Sequence, residues 1–280
     1  MLRCRTLGAL DLRGSEGEEI LSVLSQPKRV ALLAYLALST PRGYHRRDKL
    51  LGLFWPELDD SHARNSLSQA LRFLRRSLGD EVILTRGSEE VGLDPGLIQV
   101  DAVDFESALD SASGSDDEAQ AQSYLEEAID LYRGHLMEGF FLSGCPEFES
   151  WLESKRQRLR EQVAGAAWAV AHQRIRAGSL TEAERMGQRA LGLVATDENE
   201  VRGFIEALAE AGDRAAAVRF YELFAQKLAG ELELRPDAET QMLLEGIRAS
   251  GEGKTRSRWV GASGSEVFAE HAGKATDLPP

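Results

Sequence analysis

Three features of the sequence predict an α+β module followed by an all-α helical-repeat domain. Short alternating segments flank three helices in the first hundred residues, helical periodicity runs nearly unbroken beyond them, and one internal pattern repeats after 34 residues. At 280 residues the chain has room for two domains and a tail, expected at 1–100, 101–249 and 250–280.

Leu2 to Leu12 alternates apolar and polar residues in part, which suits one or two strands covering a small core. A polar Gly/Glu loop follows. Gln26-Pro27-Lys28 opens a helix that reaches Leu38, because proline fits the first helical turn, and Pro41 and Gly43 lie just past its end. His45 to Phe54 reads as a second, short helix with Leu50, Leu51 and Phe54 inward, stopped by Trp55-Pro56. A third starts at Asp59-Asp60-Ser61, whose side chains suit a helix N-terminus, and runs to Leu78 before Gly79. Val82 to Thr85 and Glu89 to Leu93 form a hairpin around Arg86-Gly87-Ser88. Strands, three helices and a closing hairpin in this order make a winged helix-turn-helix.

Beyond Asp101 helices are expected at Val103–Ser111, Asp117–Tyr132, Trp151–Ala177, Thr181–Val194, Asn199–Ala211, Ala215–Ala229 and Asp237–Ala249. Ala177-Gly178 aligns with Ala211-Gly212, Ala183 with Ala217, and Arg185 with Arg219. That shift is the tetratricopeptide period, in which stacked helix pairs cover one another's apolar faces. Residues 250–280 are rich in Gly, Ser and Ala without sustained periodicity and are expected to be a flexible tail. Gly253-Lys254-Thr255 is no phosphate loop, since Arg248 stands where the motif needs its first glycine and no strand precedes it.

Charge divides the chain. The net charge is -13, yet residues 1–100 hold 14 basic against 13 acidic residues and the remainder 19 against 33. The acidity belongs to the C-terminal part, so a polyanion would be met by the N-terminal module. From Ser61 to Gly79 there are four arginines and no acidic residue. At ~100° per residue, Ala63, Leu67, Ala70, Leu71, Leu74 and Leu78 share one arc, with Asn65, Ser68, Gln69, Arg72 and Arg76 opposite. Arginine donates in pairs to guanine, Asn or Gln pairs with adenine, and Ser reaches base edges or phosphates, so these five are the candidate base-reading residues. Arg46, Arg47, Arg64 and Arg75 are the candidate phosphate contacts and Arg86 the wing contact. Phe73, at the edge of the polar arc, is expected to pack on the first strands.

These stretches resemble a known family. R-T-L-G-A-L-D-L, P-K-R-V-A-L-L-A-Y-L-A-L, R-D-K-L-L-G-L-F-W-P-E, A-R-N-S-L-S-Q-A-L-R-F-L-R-R-S-L-G and V-D-A-V-D-F-E are similar to the SARP-type antibiotic-regulatory transcriptional activators. Further on, L-Y-R-G-H-L-M-E-G-F, F-E-S-W-L-E-S-K-R-Q-R-L-R, G-D-R-A-A-A-V-R-F-Y-E-L-F and L-E-L-R-P-D-A-E-T resemble that family's bacterial transcriptional activator domain. The resemblance covers residues 2–248. It implies an OmpR-like winged helix joined to a tetratricopeptide-like domain, binding of direct repeats near promoters, and recruitment of RNA polymerase. It also implies a recognition helix over Arg64–Leu78 and a wing around Arg86. Phe73 and Val91-Gly92-Leu93 depart from the family's polar residue and Gly-Tyr-x-Leu strand.

The expected partner is double-stranded DNA, with a homodimer through the helical domain at half-sites about one helical turn apart. The alternative is a helical-repeat scaffold whose winged helix binds protein. No cofactor, metal or catalytic residue is expected: His45, His62, His135, His172 and His271 form no ligand-spaced pair, and no nucleophile motif occurs. Cys4 and Cys145 are expected to be packing residues. The longest apolar run, Val30 to Leu38, is too short to span a bilayer and no leader is seen, so a cytoplasmic location is expected.

Overall fold

The computed structural model describes residues 1–194 and 197–260, the side chains of 251–260 excepted. The first strands, β1 (Leu2–Arg5) and β2 (Asp11–Arg13), are antiparallel, and β1 also pairs in parallel with β6 (Ile98–Val100), giving the sheet order β2-β1-β6. Their alternation buries Leu2, Cys4 and Leu12. Between them in sequence lie α1 (Leu21–Leu24), α2 (Pro27–Leu38), β3 (His45–Arg46), α3 (Arg47–Phe54), α4 (Asp60–Leu78), β4 (Ile83–Arg86) and β5 (Glu90–Leu93). A second antiparallel sheet has the order β3-β5-β4, with Thr85 opposite Val91 and Arg86 opposite Glu90.

Two expectations for this region are corrected. His45-Arg46 is a strand rather than the start of a helix, because it pairs with Val91 and Glu90 across the sheet, and α3 begins only at Arg47. His45 is buried there, bonded to the Ser39 hydroxyl at 3.1 Å and set edge-on to the Tyr35 ring. The Gly/Glu loop also contains the single turn α1, whose Val23 is fully buried.

Seven helices follow among the described residues: α5 (Asp101–Ser113), α6 (Glu118–Leu131), α7 (Pro146–Arg176), α8 (Leu180–Leu193), α9 (Glu198–Glu210), α10 (Arg214–Leu232) and α11 (Ala238–Val260). The 34-residue repeat is structural. Gly178 and Gly212 both close a helix with positive φ, +75° and +94°, a region that only glycine enters freely. Ala183 and Ala217 are fully buried at equivalent places in α8 and α10. Arg219 reaches across to Glu184 at 3.2 Å. Trp168, Phe204 and Phe220 fill the space between the pairs, the last two with ring centres 4.7 Å apart.

α11 runs on to Val260, past the expected helix end at Ala249. Gly251 and Gly253 weaken a helix by about 1 kcal/mol each without ending it, and no proline intervenes. Residues 261–280, where the rest of the tail was expected, lie outside the described residues. Gly253-Lys254-Thr255 falls within α11, whose helical backbone is not that of a phosphate loop.

The 31-residue α7 serves both halves. Its first turns place Phe148 against Phe54 (5.2 Å between ring centres) and Trp151 against Tyr35 (4.8 Å), so aromatic side chains from α2, α3 and α7 form one cluster. One turn on, Lys155 is buried against Glu106 of α5 at 2.7 Å, and Glu106 also binds Arg42. Arg156 donates to the carbonyls of Leu136, Met137 and Phe140, pinning the segment between α6 and α7. Asp101, the first residue of α5, accepts the backbone N–H groups of Thr6 and Leu7. The buried side chains therefore make one continuous core.

Both cysteines are buried and unpaired. Burial, with lesser help from Asp101 and Asp11, pushes the Cys4 thiol up to about 12, so it stays protonated and packs as an apolar group. Among the described residues no helix is long and apolar enough to cross a membrane.

Candidate nucleic-acid interface

The strong amphipathicity of α4 decides how it sits. Ala63, Leu67, Ala70, Leu71, Leu74 and Leu78 are buried, and the helix packs on α1, α3 and β4. The opposite side is left to solvent. Asn65, Ser68, Gln69, Arg72 and Arg76 are all exposed on that single face. Arg72 and Arg76 form no ion pair among the described residues, while the Ser68 hydroxyl donates back to the Arg64 carbonyl at 2.8 Å and keeps its lone pairs free.

The first turn is held by Asp59, whose carboxylate accepts the His62 N–H at 3.1 Å and also meets Ser61 and the His62 ring. These hydrogen bonds, the backbone one foremost, lower the Asp59 carboxyl from 3.8 to about 2. A depressed carboxyl stabilises the fold above its unfolded value and loses that contribution as it protonates. Acidification from about pH 4 towards pH 2 should thus release the first turn of α4, and Asp59→Asn should remove that pH dependence. Amide hydrogen exchange at His62 and Ala63 reads it, and protection that persists unchanged to pH 2 would contradict it.

The basic residues around this face differ in their engagements. Arg46 binds Asp48 at 2.9 Å, Arg64 binds Asp60 at 2.9 Å, and Arg86 binds Glu90 at 2.5 Å while lying over the Tyr44 ring. These are exposed pairs, which contribute about 0 to 1 kcal/mol and exchange readily for another anion. Arg75 is different: its guanidinium donates twice to the Ile83 carbonyl, at 3.2 and 3.3 Å, tying α4 to the first strand of the wing hairpin. Arg47 is half-buried, and its Nε is buried without an acceptor among the described residues. Burial first, and then the charge of Arg75, pulls its pKa down.

Arg47, Arg72, Arg75 and Arg76 line one cleft of about 740 Å³ together with Ser68, Leu71, Gly79 and Asp80. Periodicity on α4 could not reveal this grouping, because Arg47 arrives from α3 through tertiary packing. Gln69 lies on the other flank, beside Lys28 and Arg29 at the start of α2. Phe73 is half-buried and packs against the edge of the core that includes Leu2, Cys4 and Leu12. The Arg29 guanidinium covers its ring at 3.7 Å, which explains a half-buried aromatic residue at the edge of a polar face.

An exposed arginine and amide helix face, a hairpin beside it and helical repeats joined through α7 are the architecture of a winged-helix regulator. The sequence model of the bacterial transcriptional activator domain matches residues 100–248, just over half of the chain. The chain belongs to that family of transcription regulators, and its winged helix plus activator domain is the arrangement of the SARP-type, OmpR-like members. Among solved structures it is similar to Mycobacterium tuberculosis EmbR in complex with a low-affinity phosphopeptide. The TM-score is 0.64 at 21% identity, over 93% of this chain and 69% of that one, a likeness of fold. No curated protein matches the sequence.

Proposed function

We propose that residues 1–100 bind duplex DNA in a sequence-specific way, with α4 in the major groove and the β4–β5 hairpin at the neighbouring backbone. Residues 101–249 form the activator domain, which holds a second copy or RNA polymerase. The observation that carries this reading is the exposed face of Asn65, Ser68, Gln69, Arg72 and Arg76, on which both arginines lack an ion-pair partner among the described residues. Arginine fits guanine O6 and N7, and the amides of Asn65 and Gln69 fit adenine. Arg46, Arg64 and Arg86, whose exposed pairs exchange at small cost, serve as backbone contacts, with Arg47 and Arg75 deeper in the cleft. The protein works without a cofactor and in the cytoplasm.

Selection of bound duplexes from a random pool, followed by binding titrations at several salt concentrations, tests this. Affinity should fall steeply with salt, by about 0.9 per phosphate neutralised on a logarithmic scale. Arg72→Ala should cost about 1 to 3 kcal/mol at one base pair and relax the preference there. Arg46→Ala should instead weaken all sequences alike and reduce the salt slope by about 1. Salt-insensitive binding, or a winged helix that captures only protein, would favour the scaffold alternative.

A further inference from the structure

The lining of the cleft between α3 and α4 holds four arginines and a single carboxylate, Asp80. Beyond the lining, the charge of Glu89 is felt by Arg47. Arg75 has part of its hydrogen-bonding capacity taken by the Ile83 carbonyl, whereas Arg72 and Arg76 have no ion-pair partner among the described residues. Arg47 is set against Arg75 closely enough to have its pKa lowered, and its Nε is buried without an acceptor. Like charges held together cost free energy, and an anion in the cleft lowers that cost.

We infer that this cleft is a binding site for a compact polyphosphate, with Arg47 at its wall and Arg72 and Arg76 closing over the anion from α4. Guanidinium groups match phosphate oxygens two at a time, and several of them around one cleft favour adjacent phosphates over an isolated monovalent anion. A volume of about 740 Å³ lies within the range of small-molecule sites and accommodates a chain of phosphates, or the phosphates of a nucleotide together with its base and sugar. Occupation has a functional consequence that rests on the DNA-binding reading. Arg72 and Arg76 belong to the face proposed to enter the groove, so a bound polyphosphate takes them away from the bases. The ligand would then act as a competitive release signal.

The test uses the full chain with pyrophosphate and tripolyphosphate as probes, without divalent cations, against sodium chloride matched in ionic strength. Calorimetry should show saturable binding of one anion per chain, weakened about tenfold in Arg47→Gln. Arg76→Gln, at an exposed position, should weaken it similarly and serves as the readout if Arg47→Gln does not fold. Heat that fails to saturate, or stabilisation that sodium chloride reproduces, overturns the inference. Displacement of a selected duplex, measured by fluorescence anisotropy at constant ionic strength, separates the two readings. Duplex that binds while polyphosphate neither binds nor displaces it removes the anion site alone. Polyphosphate that binds a chain with no affinity for any duplex removes the DNA reading and leaves the anion site.

Discussion

Replacing Phe148 with alanine is expected to destabilise the whole chain by about 3 to 5 kcal/mol, the usual cost of deleting a buried aromatic side chain from a packed core. Phe148 is fully buried and touches the rings of Phe54, Phe140 and Trp151, so the cavity opens among side chains from α3, α7 and the segment before α7. Against a total of about 5 to 15 kcal/mol for a typical domain this is a large fraction. Because the cavity would lie where the winged helix meets the helical domain, the loss should appear in a single urea transition followed by tryptophan fluorescence and by circular dichroism. A loss below about 1 kcal/mol would mean that the aromatic contact between α3 and α7 is not made in solution.

Phe204→Ala should cost a similar amount, about 3 to 5 kcal/mol, but with a different signature. Phe204 lies between Trp168 and Phe220 in the repeat, edge-on to His172, and Gly187 approaches it so closely that a methyl group there would overlap its ring. Among the described residues, the aromatic contacts of this cluster involve no residue of the α4 face. The folded fraction of the variant should therefore retain the wild-type affinity for a selected duplex, whatever its loss of stability. Weakened binding per folded molecule would show that the repeat domain acts on the groove face through α7.

What could be read in the sequence followed the range of the interactions involved. α4 was legible in bounds, buried arc and exposed arc because all three are local: Asp59 caps it, Gly79 closes it, and its apolar residues recur at helical spacing. The tetratricopeptide-like repeat was legible for the same reason. β3 was not, since two residues have no period, and His45-Arg46 is a strand only because Val91 and Glu90 lie beside it. β6 pairs with β1 from more than ninety residues away and likewise left no local signal. The candidate site divides in the same manner. Its exposed face came from periodicity, but the tie from Arg75 to Ile83, the stacking of Arg29 on Phe73 and the burial of Arg47 are products of packing.

The unbroken course of α7 bears on how the protein can be dissected. A fragment trimmed at residue 100 would keep Tyr35 and Phe54 yet lose Phe148 and Trp151, baring the rings these cover, and Thr6 would forfeit the carboxylate of Asp101. Such a fragment is expected to clump or to refold around its own bare rings. A cut at residue 176 only moves the difficulty, because Trp168 near the end of α7 is covered by Phe204 and Phe220, so the groove-facing module is best studied within the whole chain.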